Sequence, residues 1–564
     1  MPALTLNPGF APMLAALLIL ASPRRLRPPI IVIAALSALW LLLDHEFGAA
    51  AARAQMGLPV VILNLDALNR IFGLAMMIAL IAIGIFSGAR RNRYEDAAIL
   101  VLAGSAISAL FVGDLISFVA AAALAGLAAA WVVFASPLAG SNRSGVRLLI
   151  WHGLEGLLFL VGVALHLSAG AEGSVFTRLD SGAFGGGFIL AALLIRIGAP
   201  LAHVWSKDAI SHASPAGAGA LSSYTTMLGV YALARLFPAE PLLMPIGAGM
   251  IVIGAVYLAA EDDLRRSAAY GLTMQAGVCV ALIGVGNPLA LAASEAHAFA
   301  AILAFLAFQL SLGGVVERTG SARIAHIAGL ARTMPISALL LLGSGLAISA
   351  APGFALYATH AVALEASAQW DLRWLWILIW AGPGFVLAGL AFRASLAAYT
   401  PASQPRSAHE APFSMLLGAG LALFLSASVG LAPRWLYDLM PASLSFQPFA
   451  LDRIASQVQV LGAAGLGYLL LRGIAADPRR RDVHLLDVDA LYRGPLAGAG
   501  EWAGVLALRV YGAWREWTRD VGANAMRVLA ALANACDRPY VRAGSGLISL
   551  LSLATLLATM FIAQ

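Results

Sequence analysis

The stretch Arg196-Ile-Gly-Ala-Pro200-Leu-Ala-His203-Val-Trp205-Ser-Lys207-Asp208-Ala-Ile-Ser-His212-Ala-Ser-Pro215 follows an apolar run that reads as a membrane span. Gly198 and Pro200 interrupt that run just after an arginine. Proline lacks an N–H and clashes with the preceding turn, and carbonyls freed inside a bilayer need protein or water as partners. A second interruption comes five spans later as Ser349-Ala-Ala-Pro352-Gly353-Phe354, followed by Tyr357, His360 and Glu365. Paired breaks at matching places in two halves are the sequence sign of an inverted-repeat transporter whose pathway lies at the breaks.

Working outward from the breaks, apolar runs bounded by charge, Gly or Pro fall near 9–22, 29–44, 66–87, 95–112, 114–135, 146–168, 185–205 and 213–236. They continue near 241–260, 268–286, 293–315, 334–366, 373–396, 413–432, 455–473 and 545–562. The composition agrees, at 61% hydrophobic and 11% charged in 564 residues, so the chain is an integral membrane protein rather than a single-span receptor or a porin-type barrel. The excess of 35 basic over 29 acidic residues need not signal nucleic acid, because the arginines gather in loops after odd-numbered spans, as at Arg24, Arg25, Arg27, Arg143, Arg147, Arg265, Arg266, Arg318 and Arg323. Those loops are expected to be cytoplasmic, which puts the N-terminus and C-terminus outside a bacterial-type inner membrane. Cys279 and Cys536 are too few for a metal cluster or a disulfide framework, so neither metal nor cofactor is expected. Only Lys207 among the basic residues is lysine. Between 501 and 535, tryptophans 502, 514 and 517 and other apolar residues recur at helical spacing among arginines, the pattern of an amphipathic helix lying at the interface or along a neighbouring subunit.

No Walker loop, Rossmann fingerprint or HExxH occurs. At the first break the chain resembles the proton-translocating antiporter-like subunits of respiratory complex I, membrane-bound hydrogenases and Mrp Na⁺/H⁺ antiporters, through Arg196, Pro200, His203, Trp205, Asp208-Ala209, His212 and Ser214-Pro215. The resemblance extends to Asp263-Leu264-Arg265-Arg266-Ser267-Ala268-Ala269-Tyr270, to His297-Ala298, to Pro352-Gly353-Phe354 and to Asp487-Val-Asp489-Ala-Leu-Tyr492-Arg493. It implies an all-α polytopic fold of about 14–16 transmembrane helices with two inverted five-helix repeats, two broken helices and a C-terminal lateral helix plus final span. The expected organisation is N-terminal helices over 1–94, a first repeat over 95–236, a second over 237–396, further spans over 397–475, and the lateral helix with the last span over 476–564.

The resemblance also implies a relay of one embedded Glu and several lysines, and here the chain departs from it. The Glu position, counted from Asp114, is Ala123; the lysine positions are Arg196, Met227, Ala301 and Tyr357. Arginine keeps its proton and is a poor carrier. The interior groups left to titrate are His203, His212, His297, His360 and Glu365, which with Arg196 and Asp208 form the expected path; His152 and Glu155 add an i,i+3 pair, and Lys207 beside Asp208 reads as an ion pair. Asp114, Asp263 and Arg265 are weaker candidates, Asp263 and Arg265 reading as a loop anchor. The expected function is a membrane subunit of a multisubunit complex moving H⁺, with or without Na⁺, alongside other membrane subunits in the bilayer and without nucleic acid. Two rivals stand beside it: a scaffold that has lost transport, and the membrane partner of an inorganic-carbon uptake system.

Overall fold

The computed structural model describes residues 6–55, 58–89, 92–169, 176–400, 408–441, 446–475, 488, 490 and 495–536. It divides into two units, 1–485 and 486–564, each taken by itself. The first unit is a bundle of long apolar helices. In chain order they are α1 (Phe10–Ala21), α2 (Arg27–Asp44), α3 (Ala67–Phe86), α4 (Arg93–Phe111), α5 (Leu115–Phe134), α6 (Ser141–Ser168), α7 (Gly186–Ile197), α8 (Val204–His212), α9 (Pro215–Leu236) and α10 (Leu243–Ala260). They continue with α11 (Leu264–Val285), α12 (Pro288–Thr319), the single turn α13 (Ile324–Ile327), α14 (Pro335–Ile348), α15 (Ala355–Ala368), α16 (Arg373–Val386), α17 (Phe392–Tyr399), α18 (Phe413–Leu431), the turn α19 (Arg434–Tyr437) and α20 (Leu451–Ala475). Eleven helices among the described residues are long and apolar enough to cross a membrane. Each expected span from 9–22 to 455–473 has its helix; the span expected at 545–562 and the Asp487–Arg493 signature lie outside the described residues.

Local chemistry sets where the spans begin. The side chains of Asp66, Asn92, Asp114, Ser214, Asp263 and Asn287 each accept a backbone N–H at the start of α3, α4, α5, α9, α11 and α12. Pro215 and Pro288 take the first helical position, where a missing N–H costs nothing. The spans of α11 and α12 are wholly buried, and α12 packs on α3, α9, α11, α14, α15 and α18. It is the central column, between α9 of the first expected repeat and α15 of the second. Peripheral helices such as α2 and α6 expose Leu36, Trp40, Ile150, Leu157 and Leu160 on faces suited to lipid.

Both breaks expected from sequence are present. α7 ends at Ile197, Gly198 adopts a left-handed conformation with φ 71°, and the helix resumes at Val204. α14 ends at Ile348 and α15 resumes at Ala355, with Gly353 at φ 98°. Each break also forces one residue with a side chain into the positive-φ region, Leu201 at 78° and Ala350 at 51°. That strain costs of order 1 kcal/mol or more apiece.

One element departs from the all-helical expectation. Residues between α2 and α3 form an antiparallel hairpin, β1 (Gly48–Gln55) with β2 (Leu58–Leu65), in register from Gly48 opposite Leu65 to Gln55 opposite Leu58. The β-branched run Val60-Val61-Ile62 supplies strand propensity, and Leu63 and Leu65 are buried. The rest of the bundle holds β2 by its backbone. Gly113 N–H donates to Val61 O at 2.8 Å, Val61 N–H to Asp114 Oδ2 at 2.8 Å, and Asn7 Nδ2 to Ile62 O at 3.0 Å.

The described residues of the second unit include the helix Pro495–Cys536, of 42 residues. It carries the periodicity read from sequence, with Trp502, Trp514 and Trp517 exposed.

Candidate functional site

At the first break, α5, α6 and α7 converge on a closed ionic cluster. Arg196 Nε donates to Glu155 Oε1 at 2.6 Å, and the other carboxylate oxygen meets His152 Nδ1 at 2.7 Å. Arg196 and Glu155 are each 1% exposed. Arg196 Nη2 donates to the carbonyl of Ala122 at 2.8 Å, beside the alanine where the family resemblance places a glutamate. The His152 ring lies 5.1 Å from that of Trp205. Trp205 Nε1 in turn donates at 2.9 Å to Ile195 O, a carbonyl near the break. Within this cluster Arg196 Nη1 and His152 Nε2 are buried without a hydrogen-bond partner.

The other candidates of the first half divide by role. His203 lies 6.0 Å from the Tyr270 ring and 6.2 Å from that of Tyr257, and the Lys207 ammonium sits over the Tyr270 ring at 5.7 Å. Asp208 takes Arg147 of α6 at 2.8 Å, while its carbonyl accepts Ser144 Oγ and lies 2.9 Å from His212 Nδ1. Asp263 caps α11, and Arg265 Nη1 donates to Ala213 O at 2.7 Å, fastening the corner between α8 and α9. Asp114 caps α5 and clasps β2.

The second break is different in kind. His297 of α12 lies 2.9 Å by its Nε2 from Gln275 Oε1 on α11, and 3.3 Å by its Nδ1 from the Thr359 hydroxyl on α15. The His360 ring is 6.4 Å from that of His297, and its buried Nε2 has no hydrogen-bond partner in the protein. His360 borders a cavity of about 170 Å³ whose wall includes Tyr357, Glu365, Arg453, Ser456 and Gln457. Polar walls and that volume accommodate several water molecules. In the same wall, Arg453 Nη2 donates to Glu365 at 3.1 Å, Nη1 donates to Gln447 O at 2.7 Å, and the guanidinium stacks 4.2 Å over Phe446. The break is held from α20, where Gln457 Nε2 donates to Ala350 O at 2.9 Å, and by Tyr357, whose hydroxyl donates to Pro448 O at 2.8 Å.

The structure thus joins Arg196 to Glu155, and it gathers His297, His360 and Glu365 around one hydrogen-bonded and cavity-lined track. It does not bring the two sets into contact. Sequence reading missed Gln275, Thr359, Arg453 and Gln457. A glutamine in the middle of an apolar span was the one legible signal; Arg453 looked like an ordinary loop charge.

Comparison with known proteins agrees with this architecture. The family model described as NADH:quinone oxidoreductase/Mrp antiporter, TM, matches residues 112–385, from the residue before Gly113 to the middle of the span after the second break. The matched residues are just under half of the chain, and over them it is similar to the family of that description. NADH-quinone oxidoreductase subunit N of Desulforudis audaxviator is 30% identical over 161 residues, which is 27% of this chain and 32% of that relative. The match therefore spans about a third of the relative's length. In the Mrp complex from a Dietzia species, one chain superimposes with a TM-score of 0.67 over 83% of this chain and 100% of its own length, at 16% identity. A chain of the archaeal membrane-bound sulfane sulfur reductase covers 97% of this one and 99% of itself, with a TM-score of 0.68 and 18% identity. At such identities the likeness is one of fold.

Proposed function

We propose that this subunit works in a multisubunit ion-translocating complex of the kind its relatives are drawn from, in a bacterial-type inner membrane, and moves protons through its second half. The observation that carries the reading is the cavity bordered by His360. A buried imidazole nitrogen without a protein partner, on the wall of a polar cavity, calls for water there. The step from His360 to His297 is short enough for a bridging water, and the Gln275 and Thr359 contacts fix the His297 ring. Neutral imidazoles can take and return a proton without the lysines that are missing. By the charge of the loops, the cavity opens outside the cytoplasm. The organisation into two inverted repeats, over 95–236 and 237–396, is part of this reading.

The first half, on this reading, is static. Arg196 cannot give up its proton and Glu155 is clamped on two sides, so His203, Asp208 and His212 shape the break rather than conduct. The two imidazoles of the second-half path are nitrogen bases that take up protons, which supports H⁺ as the cargo. The test is proton flux in vesicles reconstituted with the purified complex. His360→Gln and His297→Gln are each expected to lower it at least tenfold while assembly persists. Unchanged flux in both would defeat the reading and leave the scaffold role.

A further inference from the structure

His297 is fully buried on the central column α12, and both of its ring nitrogens are taken. Nε2 lies 2.9 Å from Gln275 Oε1, and Nδ1 lies 3.3 Å from the Thr359 hydroxyl. The two partners differ in what they can do with a proton. A carboxamide oxygen accepts a hydrogen bond but has no proton of its own to pass on, whereas a hydroxyl can take one at its oxygen while giving up its own. The His360 ring, 6.4 Å away between centroids, is too distant to share a hydrogen bond with His297. Nδ1 is therefore the side of His297 open to exchange, and Thr359 stands on it.

Thr359 is held loosely for a helical threonine. Its Oγ1 is 3.2 Å from Leu356 O and 3.4 Å from Ala355 O, both longer than the roughly 2.7–2.8 Å usual between a hydroxyl and its acceptor. Thr225, by contrast, donates to Leu221 O at 2.6 Å. One hydroxyl hydrogen on Thr359 thus faces two carbonyls and a ring nitrogen and is locked to none of them. With Nε2–H donating to Gln275, the neutral His297 ring has a bare Nδ1, which accepts the Thr359 hydrogen. In the protonated ring, Nδ1–H donates to Oγ1 and the Thr359 hydrogen turns to Leu356 O. Both states are fully hydrogen-bonded, and only a hydroxyl hydrogen swings between them.

We propose that Thr359 is a relay residue, whose hydroxyl carries the proton between the His360 side of the path and Nδ1 of His297. In loading, a proton reaches Oγ1 through a water bridging from His360. The bond from Oγ1 to its own hydrogen breaks, and that hydrogen forms the new N–H bond at Nδ1. Threonine ends as it began, with one hydroxyl hydrogen, while the ring gains one proton and one positive charge. Unloading is the reverse. Gln275 is a positioning residue that keeps the hydrogen on Nε2 and so leaves Nδ1 to exchange. The relay rests on the proton path proposed above, to which it adds the exchanging atom and the group that serves it.

Two measurements test it. Solid-state nitrogen NMR spectra of the reconstituted complex with isotopically labelled histidine, in which His297→Gln identifies the His297 signal, are expected to show a neutral ring with hydrogen on Nε2 and a bare Nδ1. A neutral ring with its hydrogen on Nδ1 overturns the proposal. In proton-flux assays on the same vesicles, Thr359→Val keeps the shape, removes the hydroxyl and is expected to lower flux at least tenfold; Thr359→Ser is expected to restore at least half of the wild-type rate. A packing role alone predicts wild-type flux in Thr359→Val, and that result overturns the relay while leaving the path through His297 and His360 standing. Should Thr359→Val fail to assemble, the wild-type ring spectrum decides. Absence of flux in the wild-type complex is a different failure, which overturns the transport reading itself and the relay with it.

Discussion

The two helix breaks share a backbone plan and differ in everything that surrounds it. Each places a glycine and one side-chain-bearing residue at positive φ, and each has a carbonyl near the gap met by a side chain, Ile195 by Trp205 from across the same break and Ala350 by Gln457 from α20. At the first break a fixed cation, an acid and an imidazole close on one another at 2.6–2.7 Å. At the second, two imidazoles stand 6.4 Å apart beside a cavity. A shared scaffold can therefore hold either a direct ionic clamp or a pair of separated imidazoles beside a cavity, and the difference lies in whether charged side chains bond to one another.

The clamp should break hardest. Glu155→Gln leaves the Arg196 guanidinium without its counter-charge in the bilayer interior, and a loss of about 3–5 kcal/mol is expected from removing one partner of a buried pair. Thermal unfolding of the detergent-solubilised complex measures it, and the double variant with Arg196→Leu should recover most of the loss. Stability equal to wild type in Glu155→Gln alone would erase the contrast between the breaks. A middling effect is expected from Gln457→Leu, which leaves the Ala350 carbonyl uncapped beside the cavity. About 1–3 kcal/mol is the usual cost of a buried acceptor left unmet, and cavity water should hold the loss near the lower bound. Trp205→Phe at the first break, where no cavity adjoins the Ile195 carbonyl among those described, should cost more than Gln457→Leu, and equal or reversed costs would erase that difference. The smallest effect belongs to strain. Leu201→Gly relieves a left-handed residue whose side chain is largely exposed, and should raise stability by about 0.5–1 kcal/mol.

How much of this was legible in the sequence depends on the range of the interaction. Span positions and both breaks follow from hydropathy and from the local chemistry of Gly198, Pro200, Pro352 and Gly353, which act within a turn or two. The pairing of Glu155 with Arg196 spans 41 residues, and no periodicity carries that information; the resemblance pointed instead to the neighbouring helix, where Ala122 offers only its carbonyl. Arg453 reaches Glu365 across 88 residues. The hairpin escaped because its short strands sit among alanines that read equally well as a loop, and because its strongest anchor, Asp114, looked like a candidate for chemistry.

The 42-residue helix Pro495–Cys536 has a consequence set by its length alone. At about 1.5 Å per residue it measures about 63 Å, twice the ~30 Å of hydrocarbon in a bilayer. Upright, no more than about half of it could lie within hydrocarbon. Laid flat, a rod with tryptophans along its side would be a mooring line, and whatever it was tied to would have to offer a berth of comparable extent.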